Sequence, residues 1–318
     1  MHDLRTVGAA DTPTQFLATN GERYAYRRLG QGSASPLLCL QHFMGTLDNW
    51  DPALIDGLAA HRDVILFDNA GVGRSSGMTP RTVECMAEHA FAFLDGLGVK
   101  NCDALGFSLG GMVAQQMALD RPATIRRMIL VGTAPRGGED VMHLEKPSLA
   151  RYFGNPELKG YDLLAKVFFT ASESSQAAAE AFVRRLALRI TDREPPSGPE
   201  IAEAQMAAFR EWDETTDEWW ADLKQIGQPV LVVNGVRDEM IPGVNSYWLS
   251  ESLPNAVLVT YPDAGHGSLF QYHETFTRLA LAFLSSDSAS AASWGKAPAA
   301  NDDDFWNPSG SISPGESR

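Results

Sequence analysis

Short apolar runs alternate along this chain with longer segments whose apolar positions recur every three or four residues. The runs are PLLCLQ, DVILFD, CDALGF and IRRMILVG; between them lie WDPALIDGLAA, TVECMAEHAFAFLDGLG and LGGMVAQQMALD. Near-continuous apolar runs are what strands covered on both faces look like, and their alternation with helical patterns implies βαβ units, a parallel sheet and right-handed crossovers. From about residue 135 to 223 the pattern changes. Strand signals stop, and helix-like stretches follow one another (GYDLLAKVFFTA, SQAAAEAFVRRLALRI, IAEAQMAAFREWDE), broken by EPPSGPE. The alternation then resumes with QPVLVVNG, a helix over about 244–252, AVLVTY, and an amphipathic helix over about 269–284. The expected organisation is an N-terminal segment at 1–20, an α/β core from 21–134 and 224–285, a helical insertion at 135–223, and a tail at 286–318. The tail is rich in Ser, Ala, Gly, Pro and Asp and lacks the apolar content to offset the entropy of ordering, so it is expected to be disordered, its Phe305–Trp306 pair incidental.

Composition narrows the class without changing the architecture. With 318 residues, 44% of them hydrophobic and 21% charged, the chain can bury a large core. No apolar run reaches the roughly 18 residues of a membrane span, and the first residues carry no stretch of signal-peptide type; the expected location is the cytoplasm. Cys39, Cys85 and Cys102 lack metal-like spacing and are odd in number, which points to buried reduced thiols. The net charge is −14, and the tail, with five acids and two bases, leaves −11 on the rest. That sign disfavours nucleic acid and anionic membrane surfaces as partners and suits a neutral substrate.

The strongest candidate for chemistry is Gly106-Phe107-Ser108-Leu109-Gly110-Gly111, between the strand CDALGF and the helix that follows. A GxSxG pattern in a strand–turn–helix context needs small residues on both sides of a serine held in a sharp, strained turn. The helix N-terminus then directs free amides and partial positive charge toward that serine. A glycine-rich turn with a bystander serine is the competing interpretation. Two further residues weigh against it: Asp238 follows the strand PVLVVNG, and His266 follows AVLVTY, both at strand ends where loops carry function.

The elbow GFSLGG, the chain order Ser108, Asp238, His266, and the turn DNAGVGRSS after DVILF together resemble the α/β-hydrolase fold family over about residues 20–285. Relatives usually have an arginine where this chain has Ala70. The resemblance implies a mostly parallel sheet flanked by helices, a helical cap at 135–223, and no cofactor or metal. It further implies nucleophilic acyl transfer in which Ser108 attacks, His266 takes its proton and Asp238 orients the imidazole. Rivals for the acid are Glu139 and Asp140, since some relatives draw it from the loop after the preceding strand; rivals for the base are His89 and His143. His273 reads as a surface or packing residue, and His2 and His61 have no constellation around them.

Two backbone amides should hold the oxyanion. One is that of Leu109. The other comes from the loop after PLLCLQ, where relatives carry His-Gly before the donor, and two registers are open: one makes Met44 the donor, the other Phe43. The second keeps the strand length from Pro36 and places Trp50 where relatives often have an aromatic residue, so Phe43 is preferred. His42 then stands in the glycine's place as a supporting residue. Aromatic residues of the insertion (Tyr152, Phe153, Phe168, Phe169, Trp212, Trp219, Trp220) are expected to pack it onto the core, with some of them walling an apolar pocket.

A serine at the elbow argues against haloalkane and epoxide hydrolysis, which use aspartate there in relatives. The expected activity is cleavage of a small neutral, apolar carboxylic ester or lactone; perhydrolysis of the haloperoxidase type and C–C hydrolysis use the same triad. A ligand receptor without turnover, or a lyase on the same fold, are readings of another class.

Overall fold

The computed structural model describes residues 7–31, 35–214 and 220–285; the expected tail, His2, Trp219, Phe305 and Trp306 lie outside them. The strands are β1 (Gln15–Thr19), β2 (Glu22–Leu29), β3 (Leu37–Leu40), β4 (Val64–Phe67), β5 (Cys102–Phe107), β6 (Ile125–Val131), β7 (Val230–Gly235) and β8 (Ala256–Tyr261). They form one sheet in the order β1-β2-β4-β3-β5-β6-β7-β8. The β1–β2 and β2–β4 pairs are antiparallel and the other five parallel. Every residue of β3, β4, β5 and β7 is buried, which explains why these strands read as near-continuous apolar runs.

Helices α1 (Pro52–Ala59), α2 (Val83–Gly96), α3 (Leu109–Asp120), α8 (Gly243–Ser252), α9 (Ser268–Gln271) and α10 (His273–Ser285) follow strands of the core, and α4 (Pro147–Phe153), α5 (Gly160–Phe168), α6 (Glu173–Leu186) and α7 (Pro199–Asp213) lie between β6 and β7. Their starts are marked by short-range chemistry. Asp51 caps α1 by accepting from the Ala53 N–H, with Pro52 in the first turn; Thr82 and Ser172 cap α2 and α6 in the same way.

Three features depart from the sequence-based expectation. The segment before residue 21 contains β1, which pairs with β2 through a two-residue turn at Asn20 (φ 52°) and Gly21 (φ 81°). Asn-Gly is the signal for such a turn, since both positions need positive φ. The expected last helix is two, α9 and α10, separated at Tyr272. Cys85 is exposed, unlike Cys39 and Cys102; all three are free. Among the described residues no helix is long and apolar enough to cross a membrane.

The α4–α7 insertion is tied to the core by directed polar contacts. Arg185 of α6 forks onto the buried Asp51 carboxylate, Nε to Oδ1 at 2.7 Å and Nη2 to Oδ2 at 2.6 Å. Asp263, three residues before His266, accepts from the hydroxyls of Thr170 (2.8 Å), Ser172 (2.6 Å) and Ser174 (2.9 Å), and the Gly267 N–H donates to the Phe168 carbonyl at 2.9 Å. The turn between α5 and α6 is thereby fixed against the loop carrying His266.

Candidate active site

Ser108, Asp238 and His266 each follow the C-terminal end of a parallel strand, β5, β7 and β8, and the Phe43 loop follows β3. Ser108 has φ 57° and ψ −119°, a left-handed conformation that costs energy for a residue with a side chain. The turn is held by Ser108 N–H to the Val131 carbonyl (2.8 Å) and Gly111 N–H to the Ser108 carbonyl (2.9 Å). A Cβ at Gly106 would meet the Gly110 carbonyl at 2.4 Å, and one at Gly110 would meet the Leu40 carbonyl at 2.1 Å. Only glycine fits these two positions, for want of space rather than for positive φ.

His266 Nδ1 lies 2.8 Å from Asp238 Oδ2, and both residues are buried. The other carboxylate oxygen, Oδ1, accepts from the Met240 N–H (2.8 Å) and the Ile241 N–H (3.0 Å). Asp238 therefore presents one oxygen, already oriented by two backbone amides, to the imidazole. Gly132 (φ 53°), just beyond β6, makes room for the pair: a Cβ there would lie 3.2 Å from His266 Nδ1 and 3.4 Å from Asp238 Oδ2. Ser108 and His266 line one cavity of about 640 Å³, and Ser108 Oγ has no hydrogen-bond partner among the described residues.

The rival residues are placed elsewhere. His89 Nδ1 is 2.7 Å from the Tyr24 hydroxyl, His143 lies beside Glu145 and Asp213, Asp140 pairs with Lys146, and the Glu139 backbone is held by Asn245.

In the loop after β3, the Met44 N–H donates to Gln205 Oε1 of α7 at 2.6 Å, and Met44 itself has φ 59°. The Phe43 and Leu109 N–H groups have no hydrogen-bond acceptor among the described residues. The His42 N–H donates to Gln41 Oε1, and His42 Nδ1–H to the Phe43 carbonyl at 2.8 Å. The His42 ring packs edge-on against Phe107 (5.4 Å) and Phe168 (5.1 Å). Burial, opposed by the Phe43 carbonyl and reinforced by nearby His266, pushes the His42 imidazole down to about 3, so it stays neutral at ordinary pH.

The expected aromatic residues divide by role. Phe153 and Phe168 line the cavity, with Phe168 5.8 Å from the His266 ring. Trp212 is buried and its Nε1–H reaches the Ala134 carbonyl, Phe169 packs on Phe182, Tyr152 lies under Arg151, and Trp220 packs on Trp248. Leu163, Leu164, Val167 and Met240 complete an apolar wall.

Beside the cavity lies a buried ionic cluster, of which only Asp68 and Arg74 fall in a motif, the turn DNAGVGRSS. Arg27 Nη2 is 2.5 Å from Asp48 Oδ1, Arg189 Nε is 3.3 Å from the same oxygen, and Arg74 Nη2 is 2.9 Å from Glu194 Oε1. Asp68 is buried near this cluster, and neither carboxyl oxygen has a hydrogen bond of regular geometry among the described residues. Burial holds its carboxyl well above the usual range; Glu194 and Asp48 add to this, while the Arg27 charge and the Leu47 amide oppose it. The native state thus keeps a proton that the unfolded chain releases near pH 4, so stability conferred below that pH is lost as pH rises toward the folded value. Asp68→Asn, a neutral isostere, is expected to leave Tm unchanged below about pH 4 and to raise it progressively toward pH 8. Thermal melts across that window check this; a Tm gain that does not grow with pH would contradict it.

The family model described as alpha/beta hydrolase fold matches residues 35–271. The chain is 44% identical to an alpha/beta hydrolase fold protein from Chitinophaga pinensis, covering 88% of this chain and 100% of that one with a TM-score of 0.82. It is 27% identical to a protein of Pseudomonas savastanoi pv. phaseolicola provisionally named carbamate hydrolase RutD, over 80% of this chain and 95% of the relative. It is 28% identical to the pimeloyl-[acyl-carrier protein] methyl ester esterase of Nitrosomonas europaea, over 71% of this chain and 86% of the relative. With the mostly parallel sheet and the family model spanning most of the chain, this protein belongs to the α/β-hydrolase fold family.

Proposed function

We propose that this protein is a serine hydrolase that cleaves a small carboxylic ester through an acyl-enzyme. The observation that carries this reading is the buried His266–Asp238 pair, 2.8 Å between Nδ1 and Oδ2, in the same cavity as a strained Ser108 at the start of α3. Relatives that act on ester and carbamate bonds by name, at 27–28% identity, support it.

In this reading Asp238 holds His266 with the proton on Nδ1, leaving Nε2 to accept the Ser108 proton as Oγ attacks the carbonyl carbon. The tetrahedral oxyanion is received by the N–H groups of Phe43 and Leu109, with the α3 N-terminus adding its partial positive charge. His266 then protonates the leaving alcohol, the acyl group stays on Ser108, and water activated by the same imidazole releases the acid. The open amide of Phe43 and the engaged amide of Met44 favour Phe43 as donor. The α4–α7 insertion acts as the cap that shields the reaction from bulk water.

Gln205 is a positioning residue in this scheme: by accepting from Met44 it holds the left-handed Met44 backbone and so aims the peptide before it. Gln205→Met, similar in length but without the amide acceptor, is expected to lower kcat between about tenfold and a hundredfold, within what loss of a full oxyanion donor costs, with KM little changed. Steady-state kinetics on an ester series test it; a change confined to KM would assign Gln205 to substrate binding instead.

The function itself is tested by treating the protein with a p-nitrophenyl alkylphosphonate and by assaying short p-nitrophenyl esters. A stoichiometric adduct on Ser108 with ester turnover is expected. Absence of both would leave a receptor or a lyase as the reading, and perhydrolysis and C–C hydrolysis are separated from ester cleavage by direct competition among substrates.

A further inference from the structure

The cavity has two unlike ends, and helix α5 measures the distance between them. Phe168, at its C-terminal end, touches the rings of His42 and His266. Tyr161 lines the same cavity seven residues earlier, so it lies about 10 Å further along the axis. Leu164 and Val167 between them are apolar wall.

At the Tyr161 end the lining becomes rich in donors. Arg193 Nη2 donates to the Tyr161 hydroxyl, which leaves the tyrosine O–H free to donate in turn. Ser197 Oγ is buried against the cavity with no hydrogen-bond partner among the described residues. The acceptors nearby are already engaged. Asp48 is taken by Arg27, Arg189 and the Glu194 N–H; Glu194 is taken by Arg74. Arg193 reaches Asp48 only at 3.8 Å, and its side chain is half-exposed.

Arg27, Arg74, Arg189 and Arg193 face Asp48, Asp192 and Glu194, while Asp68 is held toward its neutral form by burial. Arg193 lines the cavity together with Asp48 and Glu194, and those two carboxylates are held by Arg27, Arg189 and Arg74.

We propose that this end of the cavity is a subsite for a carboxylate carried by the substrate about 10 Å from the scissile carbonyl, with Arg193, Tyr161 and Ser197 as its donors. The substrate is then an ester with an apolar spacer and an anionic far end, in place of the neutral ester that net charge suggested. A guanidinium presents paired donors that match a carboxylate, and the apolar wall between the two ends suits a methylene chain. The proposal builds on the serine-hydrolase reading and specifies its substrate class.

The test compares monomethyl esters of linear dicarboxylic acids, graded in length, with methyl esters of fatty acids of the same length. The half-esters are expected to win in kcat/KM by about tenfold or more at the matching length, mainly through KM, and by less at high salt. The ratio of half-ester to neutral ester should fall toward one in Arg193→Gln, with Arg193→Lys retaining part of it because the charge survives. Turnover of both series without preference, or a preference untouched in Arg193→Gln, overturns the subsite and leaves the hydrolase reading standing. Calorimetric titration of the half-ester into Ser108→Ala separates the reverse case. Arg193-dependent binding of half-ester over neutral ester, with no turnover by the wild type, would sustain the subsite and overturn the hydrolase reading; no such binding there overturns the subsite.

Discussion

Ser108→Ala is expected to lower kcat for short p-nitrophenyl esters by on the order of 10⁴- to 10⁶-fold, the range seen when the nucleophile of such a triad is removed. Alanine deletes one oxygen and little else. Ser108 Oγ has no hydrogen-bond partner among the described residues, so no hydrogen bond seen in the folded state is lost, and the Cβ that makes φ 57° costly is retained. The melting temperature should therefore stay where it is while phosphonate labelling disappears. Ser108→Gly would sharpen the comparison: it is equally inactive, but relief of the left-handed strain should raise stability by about 0.5–1 kcal/mol. Mass spectrometry of the phosphonate adduct, rates and thermal melts on both variants provide the measurements. Ester turnover by Ser108→Ala near the wild-type rate would mean that another group attacks.

Asp238→Asn should be nearly as damaging, about 10⁴-fold in kcat, through geometry rather than charge alone. In the wild type, Oδ1 accepts two backbone amides and Oδ2 faces His266 Nδ1. An asparagine has to keep its oxygen toward Met240 and Ile241, because its amide nitrogen there would meet two donors. The NH₂ is then turned to His266, which must present a lone pair at Nδ1 and carry its proton on Nε2. That tautomer cannot accept from Ser108. The expected signature is a large loss of kcat with small change in KM and an unchanged melting temperature, read by kinetics and calorimetry. A loss below about tenfold would show that His266 keeps its working tautomer without Asp238, and the acid would have to be sought elsewhere.

How much of this was legible beforehand differs from element to element. The five central strands were visible because both faces of each are largely covered, so their sequences are near-continuous apolar runs with few polar interruptions. β1 was missed although Asn20-Gly21 announces its turn: the strand itself, QFLAT, is mostly exposed and lacks that apolar signal. Ser108 stood out through its two glycines, which are needed within two residues of it. Gln205, by contrast, sits 161 residues from Met44 and looks like any polar position on an amphipathic helix. The preference for Phe43 over Met44 came from strand length and family pattern; which amide is open follows from that distant glutamine.

The substrate expectation shows the same division. A net charge of −14 is a sum over the whole chain, whereas a ligand feels the few charges within a Debye length, of roughly 10 Å. By itself the sequence determined the alternating α/β architecture, the elbow at Ser108 and the strand ends that carry Asp238 and His266, because these are written in local periodicity and in residues a few positions apart. The tertiary structure alone decided which carboxylate oxygen faces His266, which amide Gln205 removes from use, and that four arginines from β2, the turn after β4 and the α6–α7 connection gather beside one cavity. Those outcomes depend on contacts between different elements of the chain, 28 positions apart for Asp238 and His266 and 161 for Met44 and Gln205, and such contacts leave no period in the sequence.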